Sequence, residues 1–299
     1  MYPERRDTLK KIFSLLLALL LVAGMAVPAY ADVNQSRAVI GADLSDEQVE
    51  AVYGMFGIRR GDAIELKMTN AEERTYLEGY VDNSLIGTRS ISCVYVELLP
   101  EGSGMSVTTS NINWCTGEMY ISALATAGIT DANIVVAAPF EVSGTAALSG
   151  VYKAYEDMTG KKLDDLAKLV STQELTVTGE LAAQIGAMDS TAIVNELKLM
   201  LDVTQTMSDD EIRAEIREIA SRYNVNLTNT QVEQLLSLCR SLEGLDAESL
   251  KARVQDVQNT LQKVSDAKTK VVGFVQGVKK VVDSVSGFFD KIKDIMARF

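Results

Sequence analysis

The stretch NIVVAAPFEVSGTAALSGVYKAY, residues 133–155, holds the best-defined candidate for binding chemistry in this chain. An apolar strand pattern runs into a small polar turn, Ser143-Gly144-Thr145, and then into a helical pattern. The first N–H groups of a helix lack partners and sit at the positive end of its dipole, so a turn of this kind can hold a phosphate or carboxylate. Gly144 leaves room for a ligand against the backbone. The alternative is an ordinary strand-to-helix turn that Ser143 caps. Arg89, between Thr88 and Ser90 at the start of an apolar run, is the second candidate. Its guanidinium could grip a carboxylate or phosphate, or form a structural ion pair. Ser143, Gly144, Thr145 and Arg89 are therefore the possible anion-binding residues.

Other motifs dissolve on inspection. Tyr155 to Lys162 fails the phosphate-loop pattern at its first and last positions, and nothing matches G-x-S-x-G. Ser265-Asp266-Ala267-Lys268 fits S-x-x-K but lies within a heptad pattern, with no K-T-G or S-D-N elsewhere. Asp209-Asp210-Glu211 could bind calcium, yet Ser208 with Glu211 already reads as a capping box. Trp114, beside a Ser/Thr/Asn-rich run, could stack a sugar, and an exposed polar strand explains the same residues. The chain has no histidine, which excludes Ser-His-Asp and Cys-His catalysis and every histidine-containing zinc site. No catalytic residue, metal site or cofactor is expected.

The three cysteines are Cys93, Cys115 and Cys239, too few for a disulfide framework. Cys93 and Cys115 lie on two strand patterns joined by Pro-Glu-Gly-Ser-Gly. A simple hairpin with Leu99 facing Met105 would pair Cys93 with Asn111. That leaves Cys115 roughly 13 Å too far along, beyond disulfide reach, whereas a longer loop between the strands would bring the two within it.

Residues 1–31 combine a basic start (Arg5, Arg6, Lys10, Lys11), an apolar run and Ala29-Tyr30-Ala31, the three parts of a secretory signal cleaved after Ala31. The apolar run is shorter than a spanning helix needs. The whole chain carries net −12, and loss of the signal leaves −14. Such acidity argues against general nucleic-acid binding, and no nucleic-acid partner is expected. It is uneven: residues 247–299 hold ten Lys/Arg against six Asp/Glu, a net +4. From Val254 to Phe299 apolar residues recur in a heptad that only Lys268 breaks. From Phe274 the apolar stripe widens, with Lys279, Lys280, Lys291 and Lys293 beside or behind it. Phe274, Lys279, Lys280, Phe288, Phe289, Lys291 and Lys293 are the possible membrane or partner contacts. The helix could dock on the acidic body, lie on a membrane surface or self-associate.

These residues need elements to position them. Capping signals, alternation and Gly stops give the order β-α-β-α-β-β-α-β-α up to Gly160, with Ile91–Leu99 as a central buried strand. Asn70-Ala71-Glu72-Glu73 reads as a further helix start. Beyond Gly160 every segment reads as helical, ending in one long helix or a hairpin over 247–299. The fold class is α+β: a signal peptide (1–31), a mixed α/β layered domain (32–187), then an all-helical region (188–299) with a long amphipathic terminal helix.

Within that frame, NAEERTYLEGYVDNSLIGTRSISCVYVELL (70–99), NINW (111–114) and ALATAGITDANIVVAAPFEVSGTAALSG (123–150) resemble a family of exported bacterial proteins, the YpuA-like proteins. The likeness is most specific from about Ala38 to Gly160. It implies an exported protein with a domain of unknown function, and it supplies no catalytic residue. Cys93 and Cys115 depart from the small residues expected there. Together these readings give a secreted or cell-envelope-associated, non-catalytic protein with a possible membrane or partner contact through its terminal helix. The alternative is an extracytoplasmic hydrolase or a small-anion or glycan-binding protein with its site at Ser143–Thr145.

Overall fold

The computed structural model describes residues 35–259, apart from Tyr80, Asp82 and the side chain of Leu85. The signal segment, the S-x-x-K match and the contact residues Phe274, Lys279, Lys280, Phe288, Phe289, Lys291 and Lys293 lie outside the described residues.

Five strands form one mixed sheet. They are β1 (Ser36–Gly41), β2 (Ile64–Met68), β3 (Cys93–Leu98), β4 (Met105–Ile112) and β5 (Ala132–Val142), in the order β2-β1-β3-β5-β4. β1 pairs parallel with β2, and β4 parallel with β5, while β3 runs antiparallel to both β1 and β5. Four strands therefore run one way and the central one runs against them. Here the expected hairpin between β3 and β4 is corrected: β5 lies between them, and Cys93 faces Ala137 rather than Asn111. All three cysteines are buried and free.

Alternation along the strands sends side chains to two separate cores. Ala38 and Ile40 of β1, with Cys93 and Tyr95 of β3, meet α1 (Asp46–Phe56). That helix buries Val49, Val52, Tyr53 and Phe56, one stripe at helical spacing. Val39, Val94, Val96, Ile134 and Val136 face the other way, onto α4 (Gly117–Ala127) and α5 (Ala147–Thr159). Between β2 and β3 lie α2 (Asn70–Leu77) and the short α3 (Asn83–Ile86). Helix ends follow local rules: Ser45 and Gln48 close a capping box on α1, and Gly128 and Gly160 end α4 and α5 in the left-handed conformation.

The remaining helices are α6 (Asp165–Ile185), α7 (Ala187–Leu199), α8 (Leu201–Thr204), α9 (Asp209–Arg222), α10 (Asn229–Leu242) and α11 (residues 247–259). They enclose a core that includes Ile193, Leu197, Ile216, Leu235 and Leu242. Two of them also reach the sheet's core. Leu175 of α6 joins it while Val170 and Leu181 join the helical core. Val254 and Val257 of α11 divide in the same way. Those two valines open the terminal heptad, so its first turns are seated on the body of the chain.

Polar groups seal this junction. Lys198 on α7 is fully buried, and its ammonium lies 2.8 Å from the equally buried Glu174 carboxylate on α6. Burial pushes the Lys198 amine down, and Glu174 opposes that shift. Lys198 also donates to the main-chain oxygen (3.1 Å) and hydroxyl (2.9 Å) of Ser122 on α4. Ser122 and Thr126 donate to Glu174 in turn.

Removing one partner of a buried pair costs about 3–5 kcal/mol, because the other charge is stranded. Lys198→Met is expected to lose that much in urea unfolding. Adding Glu174→Gln, which removes the stranded charge and keeps one of the two acceptor oxygens that Ser122 and Thr126 use, is expected to recover part of it. Equal stability of the two variants would count against this account.

Candidate functional site

The turn 143–146 connects β5 to α5. Helix α5 starts at Ala147, and Ala146 occupies the cap position with no side-chain cap bond, so Ser143 is not the cap that its sequence suggests. The turn consumes its own donors: the Ala147 and Leu148 N–H groups donate to the oxygens of Gly144 and Thr145, at 3.0 and 3.3 Å. Gly144 is buried at φ +90°, and Tyr120 donates its hydroxyl to the Gly144 oxygen at 2.6 Å. A Cβ there would meet Ile112 at 2.5 Å and the Tyr120 hydroxyl at 2.6 Å. This glycine lets two core side chains approach the backbone, not a ligand. Thr145 is buried as well.

Ser143 faces elsewhere. With Arg89 it lines an open cleft of about 510 Å³, bounded by the segment 84–92, by Asn113 after β4, and by Glu141, Val142 and Ala146 at the end of β5. Of the four sequence candidates, the structure brings Ser143 and Arg89 together and assigns Gly144 and Thr145 to packing. The Arg89 guanidinium is exposed and donates through Nη2 to the Asp43 main-chain oxygen at 2.8 Å. Among the described residues no carboxylate lies within ion-pair reach of it, so the structural ion pair is not formed.

The arginine's segment is held from behind. The side chain of Arg74 on α2 donates to the Gly87 oxygen (2.7 Å) and to Asn83 (2.9 Å). Asp43 accepts the Ser90 N–H at 2.7 Å. The Ser90 hydroxyl donates to Glu73, a fully buried carboxyl, at 2.6 Å, and Asn70 donates to Glu73 at 3.3 Å. The reason Glu73 turns inward is a one-residue correction to the helix start. Thr69, not Asn70, caps α2, and Glu72 closes the box, which leaves Glu73 on the inner face. Burial, with smaller repulsion from Asp43 and Glu72, pushes the Glu73 carboxyl up to about 7 against the pull of its hydrogen bonds.

The sequence reading missed Glu141, Asn113, Asp43 and Glu73. The run Thr69 to Glu73 offers two overlapping capping patterns, and that ambiguity was the available signal for Glu73.

The remaining candidates resolve into structure. Trp114 packs against α6, where a Cβ on Gly179 would meet its ring at 2.4 Å, so the ring rests on a helix and is no open sugar platform. β4 is the polar edge strand expected of its composition. Ser208 and Glu211 close the capping box on α9, Asp209 pairs with Arg240 and Asp210 with Arg213. No group of described residues could hold a metal ion. Burial pushes the thiols of Cys93 and Cys115 up to about 12, so neither is a nucleophile at neutral pH.

A carboxyl that is harder to ionise in the folded chain stabilises it fully below its unfolded value, and that stability is lost as pH rises through the folded value. The stability of the chain relative to Glu73→Gln should therefore fall by roughly 2–3 kcal/mol between about pH 4.5 and about pH 7. Urea midpoints across that range would show it, and parallel pH profiles would refute it. At Gly179 the usual helix gain of alanine over glycine should reverse. Gly179→Ala is expected to cost about 1–3 kcal/mol by overpacking, with a changed emission from the single tryptophan.

Comparison with known proteins agrees with the sequence resemblance. The family model described as protein of unknown function (DUF1002) matches residues 40–282. The chain is 35% identical over 294 residues to the uncharacterized protein YpuA of Bacillus subtilis (strain 168), covering 96% of this chain and 99% of that one. No solved structure matches significantly. Its fold is α+β, and the chain is a member of the DUF1002 family, to which its resemblance to the YpuA-like proteins pointed.

Proposed function

We propose that this chain is an exported protein of the bacterial cell envelope that binds a small charged ligand and does not turn it over. The carrying observation is the cleft: Arg89 and Ser143, distant in sequence, both line it, and the exposed Arg89 guanidinium makes no ion pair with a described residue. Its size falls in the range of small-molecule sites, and it mixes apolar lining with a few polar groups. The absence of histidine and the withdrawal of the Cys93 and Cys115 thiols favour binding over catalysis. Export is supported by the three-part signal pattern of residues 1–31.

The terminal segment supplies a second contact in this reading. Its apolar stripe with Lys279, Lys280, Lys291 and Lys293 suits an anionic surface, and each lysine adds about 1 kcal/mol of attraction there.

Gly144→Val would break packing rather than probe the cleft, so the test uses Ser143→Ala and Arg89→Ala. A rise in melting temperature with a small charged ligand, lost in both variants while their circular dichroism is unchanged, is the expected result. No shift across a broad panel of charged metabolites and glycans would refute the binding reading. For the tail, the whole chain is expected to float with anionic vesicles. Replacing the four lysines by glutamate should abolish flotation, and a chain that never floats refutes the surface contact.

A further inference from the structure

The cleft carries two opposite charges, and their placement follows from strand register. β3 and β5 are antiparallel, and the last pair of their ladder is Cys93 with Ala137. Counting four residues further along each chain brings Arg89 level with Glu141. Past Cys93 the two chains part, and the cleft opens between them. Had the ladder continued, the guanidinium and the carboxylate would have met across it and neutralised each other. Instead both are exposed. The Glu141 carboxylate makes no ion pair with a described residue, and among the described residues Arg89 is tethered through Nη2 to the Asp43 oxygen.

We propose that this cleft takes a zwitterion, an α-amino acid or short peptide, with its carboxylate on Arg89 and its ammonium on Glu141. The inference rests on the binding reading above and names the ligand class for the same site. A plain anion drawn to Arg89 meets the Glu141 charge across the cleft, and a plain cation drawn to Glu141 meets Arg89. A molecule bearing both charges satisfies both walls. Asn113 adds a polar side chain to the lining, and Ile91 with Ala146 give the apolar lining that a small side chain needs. Neither charged group must be desolvated unpaired, which is what a half-open site requires of its ligand.

Titration calorimetry on the whole chain tests this with dialanine, propionate, ethylamine and inorganic phosphate. Dialanine is expected to bind at least tenfold more tightly than propionate or ethylamine. Glu141→Gln, an exposed and isosteric change, should weaken dialanine at least tenfold and erase its advantage over propionate. Arg89→Ala, checked for an unchanged circular dichroism spectrum, should weaken dialanine and propionate alike. Propionate or phosphate binding as tightly as dialanine, and indifferent to Glu141→Gln, overturns the zwitterion while sparing the binding reading. Silence from all four probes overturns the zwitterion, and the broader panel of the preceding test then decides whether the cleft binds anything.

Discussion

The ammonium of Lys198 and the carboxylate of Glu174 meet at 2.8 Å with no solvent around either, and this contact sets how the sheet layer and the helices fit together. A buried pair of this kind is weak evidence of stability, because desolvation consumes much of the attraction. Its effect is on registration. Ser122 and Thr126 on α4 donate to Glu174 on α6, Ser122 also reaches Asn195 on α7, and Lys198 closes the set from α7. Sliding any one of the three helices by a turn would strand a buried charge or leave a buried hydroxyl or amide unpaired. Apolar contacts alone would tolerate such a slide far better. Arg253 of α11 extends the same junction, donating to the Ala125 oxygen of α4 at 2.7 Å.

Fixing α4 fixes more than the helical layer. This helix joins β4 to β5, and its Tyr120 holds the Gly144 oxygen at the turn beyond β5. One wall of the cleft is thereby referred back to the buried pair. The opposite wall depends on a second buried acid: Glu73 with Ser90, and Asp43 with the Ser90 N–H, fasten the segment that presents Arg89. A Cβ on Gly41 would meet the Ser90 oxygen at 2.3 Å, so the end of β1 and this segment are also in direct backbone contact. Both walls are thus rigid where they leave the sheet and exposed where they face each other, an arrangement that suits a preformed site.

Much of the fold was legible because its signals are local. The boxes at Ser45, Ser208 and Thr228 and the stops at Gly128 and Gly160 each depend on residues within one helical turn. The burial of β3 on both faces was legible from its composition. Failures came where a local rule had two solutions or where the answer was non-local. Thr69 and Asn70 are both good caps, and the choice between them decides whether Glu73 is a surface residue or a buried acid. The insertion of β5 between β3 and β4 is set by packing across the sheet, and no turn residue in 99–104 encodes it. Ser143 and Arg89 were each visible as polar groups at a strand end, but only the pairing of β3 with β5 places them on one cleft.

The position of that cleft follows from strand direction. β1, β4 and β5 run the same way and end on one edge of the sheet, where Asp43, Asn113 and Glu141–Ser143 are found. In open sheets of this kind ligands bind outside the carboxyl ends of the strands, where connections diverge and leave a crevice. β3 runs against its neighbours, so its beginning lies on that same edge and brings Arg89 with it. Reversing β3 alone would send the arginine to the far side and leave Glu141 facing only hydroxyls and amides. The antiparallel central strand is therefore what makes this a site with two charges.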